Sequence, residues 1–330
     1  MKRKFALLFC SILLAFTIVS ANAQPATHPD RQVAVTMDDL PSGMADDLTG
    51  PQLVAMTAKL LGTLRDQKVP VVGFVNERKL YRFGDVDPRI KALSMWLDYG
   101  FQLGNHTYSH MSLNQAGLKR WEDDVIQGEP VLKLLLAQHH EQLRYFRHPY
   151  LDTGRDLATR RAAEEFLAQR GYRIAPVTLD GWDWCFAGLY EDAKARNDTA
   201  LQARIVKDYL AYHDEVFTYY EQLSAKLLGY EPKQVLLLHA SQLEADHIGE
   251  LLDLLRKHGY RFITLEDALG DPAYSLPNTY VGEGGDGWID QWAISQGKIP
   301  QGAPVFPQWV LDRSKTLGLS TGEVNAPPPQ

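Results

Sequence analysis

Short apolar runs rich in β-branched residues alternate along the chain with longer segments in which apolar residues recur every three or four positions. The first pattern is typical of buried strands and the second of amphipathic helices. Ile248, Leu251, Leu252 and Leu255, for example, have helical spacing before Gly259, a residue type that commonly ends helices. The pattern predicts strands over residues 33–37, 69–75, 101–106, 143–148, 172–179, 234–239 and 260–265, and helices near residues 51–67, 88–99, 115–139, 155–170, 193–228 and 243–258.

This alternation of strands and helices predicts an α/β fold. Parallel strands joined by right-handed crossovers form either an open doubly wound sheet or a closed barrel, and seven strands favour an irregular barrel. We expect this domain over residues 31–270, with a helical insertion at about 186–230, a segment longer than a usual crossover. Residues 271–330 are rich in proline and glycine and are expected to form a loop-rich C-terminal extension with a disordered end.

The first residues predict a secretory signal peptide. Basic residues at positions 2–4 precede an uncharged apolar stretch, and the small-x-small pattern at positions 21–23 predicts cleavage after Ala23. A membrane anchor is the alternative, but the apolar stretch is shorter than the about 20 residues of a spanning helix. We therefore expect residues 1–23 to be removed, which leaves a secreted or periplasmic protein without a stable membrane anchor.

Charge and cysteine content narrow the partners and cross-links. The net charge is −7, and removal of the basic signal would make it more negative, which argues against nucleic acid or anionic lipid as a partner. Of the two cysteines, Cys10 lies in the predicted signal and only Cys185 remains, so we expect no intrachain disulfide. Nothing in the sequence predicts the oligomeric state.

Polar residues of unusual type stand where predicted strands end. The carboxyl ends of parallel strands open on one face of an α/β fold, so residues far apart in sequence converge there. We therefore expect these side chains to form one site. In strand order they are Asp38 and Asp39, His106, Arg147, Asp180 and Asp183, and His239.

Three of these positions predict a metal site. His106 and His110 are four residues apart, and Asp39 can supply a third ligand. Two imidazoles and one carboxylate are a common open site for zinc, which lowers the pKa of a bound water to about 7. A His-x-x-x-His pair alone often marks only a polar helix face, but its position at a strand end favours a metal. We expect one divalent cation, with Zn²⁺ as the first choice.

Hydrolysis by metal-activated water also requires a base and an acid. Asp38 is next to the ligand Asp39 and can accept the proton of water, while His239 can protonate the leaving group. Each has a simpler explanation, a helix cap or turn for Asp38 and a hydrogen-bonded histidine at a strand end for His239. The other histidines are expected mostly on solvated faces, namely His28, His139, His140, His148, His213, His247 and His258.

Five short motifs, in order, resemble those of the polysaccharide deacetylase family, the NodB-homology domain of carbohydrate esterase family four. Residues 36–41 are similar to the family's T-F-D-D-G-P motif, and residues 106–110 match H-[ST]-x-x-H. Residues 147–150 match R-x-P-Y, residues 180–184 match D-x-x-D-W, and residues 236–239 fit L-x-x-H. Five motifs in the family's order are far more specific than any one of them.

The resemblance implies a distorted (β/α) barrel with about seven parallel strands and a metal-dependent deacetylase. Leu40 stands where the family usually has glycine, which is expected to change the turn beside the metal and to narrow the groove or shift the backbone. By motif position, the implied roles are Asp38 as base and His239 as acid; Asp39, His106 and His110 as metal ligands; Arg147 and Asp183 as charge partners of Asp38 and His239; Tyr150 as an oxyanion donor through its backbone N–H; and Trp184 and Leu236 as lining of the acetyl-binding groove.

The expected substrate is an acetylated polysaccharide or oligosaccharide, with N-acetyl favoured over O-acetyl groups, although the motifs do not separate amides from esters. A glycan-binding protein on the same scaffold, with little or no turnover, is the alternative. A phosphoesterase using Asp38 and Asp39 fits less well, because no phosphate cradle such as a P-loop is present. The aromatic residues Trp288, Trp292 and Trp309 of the extension either stack on sugar rings or pack onto the barrel.

Overall fold

The computed structural model describes residues 30–319 and confirms the predicted α/β fold. The predicted signal peptide and the end of the predicted extension lie outside these residues. Within them, no helix is both long and apolar enough to cross a membrane. The strands are β1 (Arg31–Leu40), β2 (Val71–Val75), β3 (Gln102–Asn105), β4 (Tyr145–Phe146), β5 (Arg173–Ile174), β6 (Leu179–Asp180), β7 (Gln234–His239) and β8 (Tyr260–Phe262).

All strand pairings are parallel and form one curled sheet. The strand order is β5-β4-β3-β2-β1-β7-β6, and β8 pairs with the first residues of β1. Among the described residues, β5 and β6 are not hydrogen-bonded to each other, so the barrel is open between them. The seven strands of this path confirm the distorted barrel of about seven parallel strands.

Strand β1 is central, and its alternating residues are buried on both faces. Ala34 packs with Val72, Phe74 and Val235 in a cluster inside the curled sheet. Its neighbours on the other face, such as Val35, belong to the larger cluster beneath the helices. A strand buried on both faces has a nearly continuous apolar sequence, which is why the apolar runs of the sequence predict these strands.

Helices cover the outer face of the sheet. In α9 the four apolar residues with helical spacing are all buried, and each stabilises the fold by about 1.5–3 kcal/mol. The helices are α1 (Gly50–Asp66), α2 (Val86–Asp98), α3 (Leu113–Ala116), α4 (Leu118–Gln127), α5 (Pro130–Gln138), α6 (Leu157–Gln169), α7 (Asp183–Ala195), α8 (Thr199–Leu228), α9 (Gln242–Lys257), α10 (Leu265–Ala268), α11 (Trp288–Ser295) and α12 (Gln308–Thr316).

Three predicted elements are divided in the structure. The helix predicted over residues 115–139 is three helices, because Gly117 has a left-handed φ of 79° and Pro130 begins α5. The helix predicted from residue 193 is α7 followed by α8, which Asp198 caps by accepting a hydrogen bond from the Leu201 N–H. The strand predicted over residues 172–179 is split into β5 and β6, which pair with different strands.

The segment after residue 270 packs against the barrel. Trp288 and Trp292 are buried in one cluster with Leu237 of β7. The Trp309 Nε1–H donates to Asp208, 2.8 Å away, and the Arg204 guanidinium lies 3.9 Å from the centre of the Trp309 ring. Of the two predicted uses of these tryptophans, the structure therefore shows packing.

Candidate active site

The pairing register of the strands places the polar residues that follow them at the same height in the sheet. Asp38 pairs with His239 between β1 and β7, and Asn105, just before His106, pairs with Phe146, just before Arg147. The convergence predicted from parallel strands is therefore present at the carboxyl end of the sheet.

Successive strand residues normally point to opposite faces, yet Asp38 and Asp39 both face the site. The register of β1 against β2 shifts between Met37 and Leu40, and Asp39 has a left-handed φ of 69°. Leu40 itself lies fully buried in the core, where its side chain packs against Gly73. The leucine at the family's glycine position therefore fills space beside β2 and does not narrow the groove.

Asp39, His106 and His110 form a three-residue cluster. One potential ligand atom from each lies within 4.8 Å of the others. The Asp39 Oδ1 atom is 3.6 Å from His110 Nε2 and 3.9 Å from His106 Nε2. The other ring nitrogen of His106, Nδ1, is 2.8 Å from the Arg147 carbonyl oxygen, which fixes the ring with Nε2 turned to the cluster.

The electrostatics of this cluster fit a divalent cation. Asp39 Oδ1 is buried and, within the described residues, is in ion-pair contact with Lys79 but accepts no hydrogen bond of good geometry. Burial would raise the pKa of Asp39, but Lys79 and His110 hold it well below its usual range. Burial lowers the pKa of His110 to about 4 and that of His106 well below its ordinary value. One carboxylate and two neutral imidazoles are thus ready to bind a metal.

Lys79 is a site residue that the sequence analysis missed. Its Nζ atom lies 3.1 Å from Asp39 Oδ1 and 3.2 Å from the Asp39 carbonyl oxygen. Lys79 belongs to the 3₁₀ turn Glu77–Leu80, directly after β2. Its position soon after the end of β2 was the available signal, because the strand-end rule holds for a lysine as it does for acids, histidines and arginine.

Asp38 lies beside a buried arginine. Arg147 Nη1 is 3.3 and 3.4 Å from the two Asp38 oxygens, while its Nη2 and Nε donate to Thr36 Oγ1 and to the Ala175 carbonyl oxygen. Burial raises the pKa of Asp38 to about 6, and the charge of Arg147 limits this rise. Asp38 Oδ2 is also 3.6 Å from His106 Nε2, so the carboxylate borders the cluster of Asp39, His106 and His110.

His239 and Asp183 form the second charged pair. His239 Nδ1 is 2.8 Å from Asp183 Oδ1, and the His239 backbone N–H donates to Asp183 Oδ2 at 2.7 Å. Burial would lower the pKa of His239, but the charge and hydrogen bond of Asp183 and the charges of nearby carboxylates raise it to about 10. His239 is therefore a cation at neutral pH and can donate a proton.

The three residues proposed to contact substrate differ in placement. Tyr150 is exposed, and the centre of its ring lies 4.4 Å from that of the candidate ligand His110. Trp184 is half-buried in the first turn of α7, next to Asp183. Leu236 is fully buried in the core beneath the helices. Leu237 points the same way as His239, because side chains two apart share a strand face. The structure therefore does not fit Leu236 as a groove residue. Leu237 is also buried, but it lies on the face of the site and is the better candidate.

The expectation that the remaining histidines lie mostly on solvated faces is wrong for two of them. His148 is buried and stacks on Trp121 at 5.5 Å. His213 is fully buried on α8, where its Nδ1 lies 2.8 Å from the Tyr209 carbonyl oxygen. Both positions depend on tertiary packing, which local polarity does not reveal.

Comparisons with known proteins agree with the motifs. The sequence model of the polysaccharide deacetylase family matches residues 26–170. The peptidoglycan-N-acetylglucosamine deacetylase of Bacillus cereus is 23% identical over 240 residues, which cover 71% of this chain and 66% of that protein, just under two thirds of its length.

The chain is also similar to proteins of known structure. The polysaccharide deacetylase Bc1974 from Bacillus cereus is 16% identical, with a TM-score of 0.48 and coverage of 71% of this chain and 91% of that one. A pseudoenzyme of carbohydrate esterase family 4 from Bacillus anthracis is 14% identical, with a TM-score of 0.47 and coverage of 73% and 66%.

Proposed function

The chain belongs to the polysaccharide deacetylase family by the match of residues 26–170, and from this premise we propose that it is a metal-dependent hydrolase that removes acetyl groups from a polysaccharide or oligosaccharide. The single observation that carries the proposal is the cluster of Asp39, His106 and His110 beside the charged pairs of Asp38 and His239.

Asp39, His106 and His110 would hold the cation. With two imidazoles and one carboxylate, zinc is the favoured ion. When bound, the cation would polarise the acetyl carbonyl and lower the pKa of water.

The proton transfers belong to the protein's own residues. Asp38 accepts the proton of the attacking water, and Arg147 holds the carboxylate in place and favours its ionised form. His239, kept protonated by Asp183, donates to the departing amine or hydroxyl. The backbone N–H of Tyr150 is assigned to the oxyanion that forms from the acetyl carbonyl. Trp184 and Leu237 are assigned to the acetyl-binding wall.

Two further features of the proposal come from similarity and from the first residues. The relative named for N-acetylglucosamine in peptidoglycan supports an N-acetyl amide in preference to an ester. The predicted signal at residues 1–23 supports a secreted or periplasmic location. Detection of a mature N-terminus after Ala23 in the secreted or periplasmic fraction tests the location.

Acetate release tests the activity. The purified protein is incubated with N-acetylated chitooligosaccharides, peptidoglycan and O-acetylated xylan, with and without a chelator. We expect acetate from an N-acetylated glycan, loss of release with the chelator and recovery with added zinc. Glycan binding without acetate release would instead favour the alternative function, a glycan-binding protein with little or no turnover. Acetate release that the chelator does not affect would contradict the role of the metal.

A further inference from the structure

The C-terminal extension reaches the active site, and we propose that its Gly284–Gly285 turn is a positioning element for Tyr150. This inference rests on the proposed function, because Tyr150 contacts the candidate metal site and is assigned to the oxyanion. The family match ends at residue 170, so the turn lies outside the matched segment.

Tyr150 adopts a conformation that must be held by its surroundings. Its φ of 57° and ψ of 15° are left-handed, which is unfavourable for a residue with a large side chain, and the following Leu151 has a φ of 52°. The Gly285 N–H donates to the Tyr150 carbonyl oxygen at 2.8 Å. This bond fixes the peptide that follows Tyr150 and with it the direction of the Tyr150 ring toward His110, 4.4 Å away.

The turn fits closely against the loop that it holds. Gly284 has a φ of 103°, and a Cβ atom there would overlap the Asp152 carboxylate and lie 3.2 Å from the Tyr150 carbonyl oxygen. Asp152 is buried and accepts a hydrogen bond from the Ser112 hydroxyl, two residues after the ligand His110. The turn, the Tyr150 loop and the segment after His110 therefore meet at one carboxylate.

Further contacts anchor the extension on this side of the barrel. The Arg160 guanidinium donates to the Tyr280 carbonyl oxygen at 2.7 Å, and Asn114 Nδ2 donates to the Gly282 carbonyl oxygen at 3.0 Å. Just after the turn, the Trp288 backbone N–H donates to the Val177 carbonyl oxygen at 2.6 Å. These bonds fix the position of the turn relative to Tyr150, as a positioning element requires.

Gly284→Ala tests the proposal, with Gly297→Ala as the matched control. Gly297 lies in the same extension, has a φ of 72°, and has open space where a Cβ would be added. Both variants therefore carry the strain of a left-handed alanine, but only Gly284→Ala pushes on Asp152 and Tyr150. We expect the kcat of Gly284→Ala to fall at least tenfold with KM within about twofold, because the displaced groups act on the transition state. The kcat of Gly297→Ala should stay within about twofold of wild type.

A second readout does not depend on turnover. Since the Tyr150 ring packs on His110, we expect Gly284→Ala to weaken zinc binding at least about threefold in a chelator competition, with Gly297→Ala unchanged. If Gly284→Ala does not fold, Asn114→Ala removes one anchor of the turn and should show the same changes at smaller amplitude.

The outcomes separate this proposal from the proposed function. A change in kcat or zinc affinity confined to the variants that disturb the turn supports the positioning role. Unchanged kcat and unchanged zinc affinity in folded Gly284→Ala overturn it, and so does a loss of thermal stability with both values unchanged. Absence of acetate release by the wild-type protein counts against the proposed function, and the zinc titration then decides the role of the turn.

Discussion

The Lys79 ammonium lies 3.1 Å from Asp39 Oδ1, the same oxygen that faces the ring nitrogens of His106 and His110. A positive side chain thus contacts the carboxylate assigned to a divalent cation. Lys79 is largely buried, with 12% of its side chain exposed, so solvent screens its charge only in part. Lys79 favours the ionised form of Asp39 and would repel a cation bound at this site.

Lys79→Met should therefore tighten metal binding. Two like charges a few ångströms apart near a protein surface repel by several kcal/mol before screening. A change of only about 1.4 kcal/mol in binding free energy changes the affinity tenfold. We expect the zinc Kd, measured by chelator competition, to fall about tenfold or more.

Lys59→Met is the matched control for this substitution. Lys59 pairs with Asp246 on the helical surface, and 57% of its side chain is exposed. Its removal should leave zinc affinity unchanged. Weaker zinc binding by Lys79→Met would show instead that the lysine mainly orients Asp39.

Asp38→Asn should nearly abolish turnover while leaving the metal in place. An amide cannot accept the proton of water, and a general base contributes about 10²- to 10⁴-fold. We expect kcat to fall at least a hundredfold with the zinc content of the wild-type protein. The substitution leaves the buried Arg147 without its carboxylate, so thermal unfolding must confirm the fold. Exposed Asp46→Asn serves as control, and near-wild-type turnover by Asp38→Asn would refute its role as the base.

Asp183→Asn should move the basic limb of the pH profile. Asp183 raises the pKa of His239, which is about 10. We expect activity to be lost as pH rises through this value, because the imidazole can then no longer donate a proton. Removing the carboxylate should lower the apparent pKa of the basic limb of the kcat/KM profile by about 1–3 units. The exposed Asp66→Asn variant should keep the wild-type profile. An unmoved limb in Asp183→Asn would mean that another group is the acid.

The order of the elements and the site at the strand ends were predictable because they depend on local patterns. Continuous apolar runs mark strands buried on both faces, and parallel strands bring Asp38, His106 and His239 to one edge. The bulge that turns Asp39 toward the same site was not predictable, because it depends on register between β1 and β2.

Other features depend on tertiary contacts. The sequence did not predict the short helices α11 and α12, because proline and glycine dominate the composition around them. Their stability comes from packing against the barrel: α11 buries Trp288 and Trp292, and α12 buries Val310 and Leu311. The position of Leu237, in contrast, follows from the sequence. Strand alternation alone places Leu237, two residues before His239, on the face of the site and Leu236 on the opposite face.

The buried His148 predicts a specific sensitivity to acid. Its ring is stacked on Trp121 and lies edge-on to Phe146, and no hydrogen bond within the described residues reaches its Nδ1 atom. Burial lowers the pKa of His148 to about 3, against an ordinary value near 6.5. Protonation of His148 therefore favours the unfolded chain. The contribution of the neutral imidazole to the free energy of unfolding is complete above about pH 6.5 and is lost as pH falls toward 3.

His148→Phe should make the protein less sensitive to acid, since phenylalanine keeps the ring contacts and cannot be protonated. Between pH 7 and pH 5 the wild type should lose about 2 kcal/mol of unfolding free energy through this histidine, and His148→Phe should lose correspondingly less. Urea unfolding at the two pH values measures the difference, which is independent of the variant's absolute stability. The exposed His140→Phe controls for the loss of an imidazole, and equal losses in His148→Phe and wild type would show that His148 does not set the acid sensitivity.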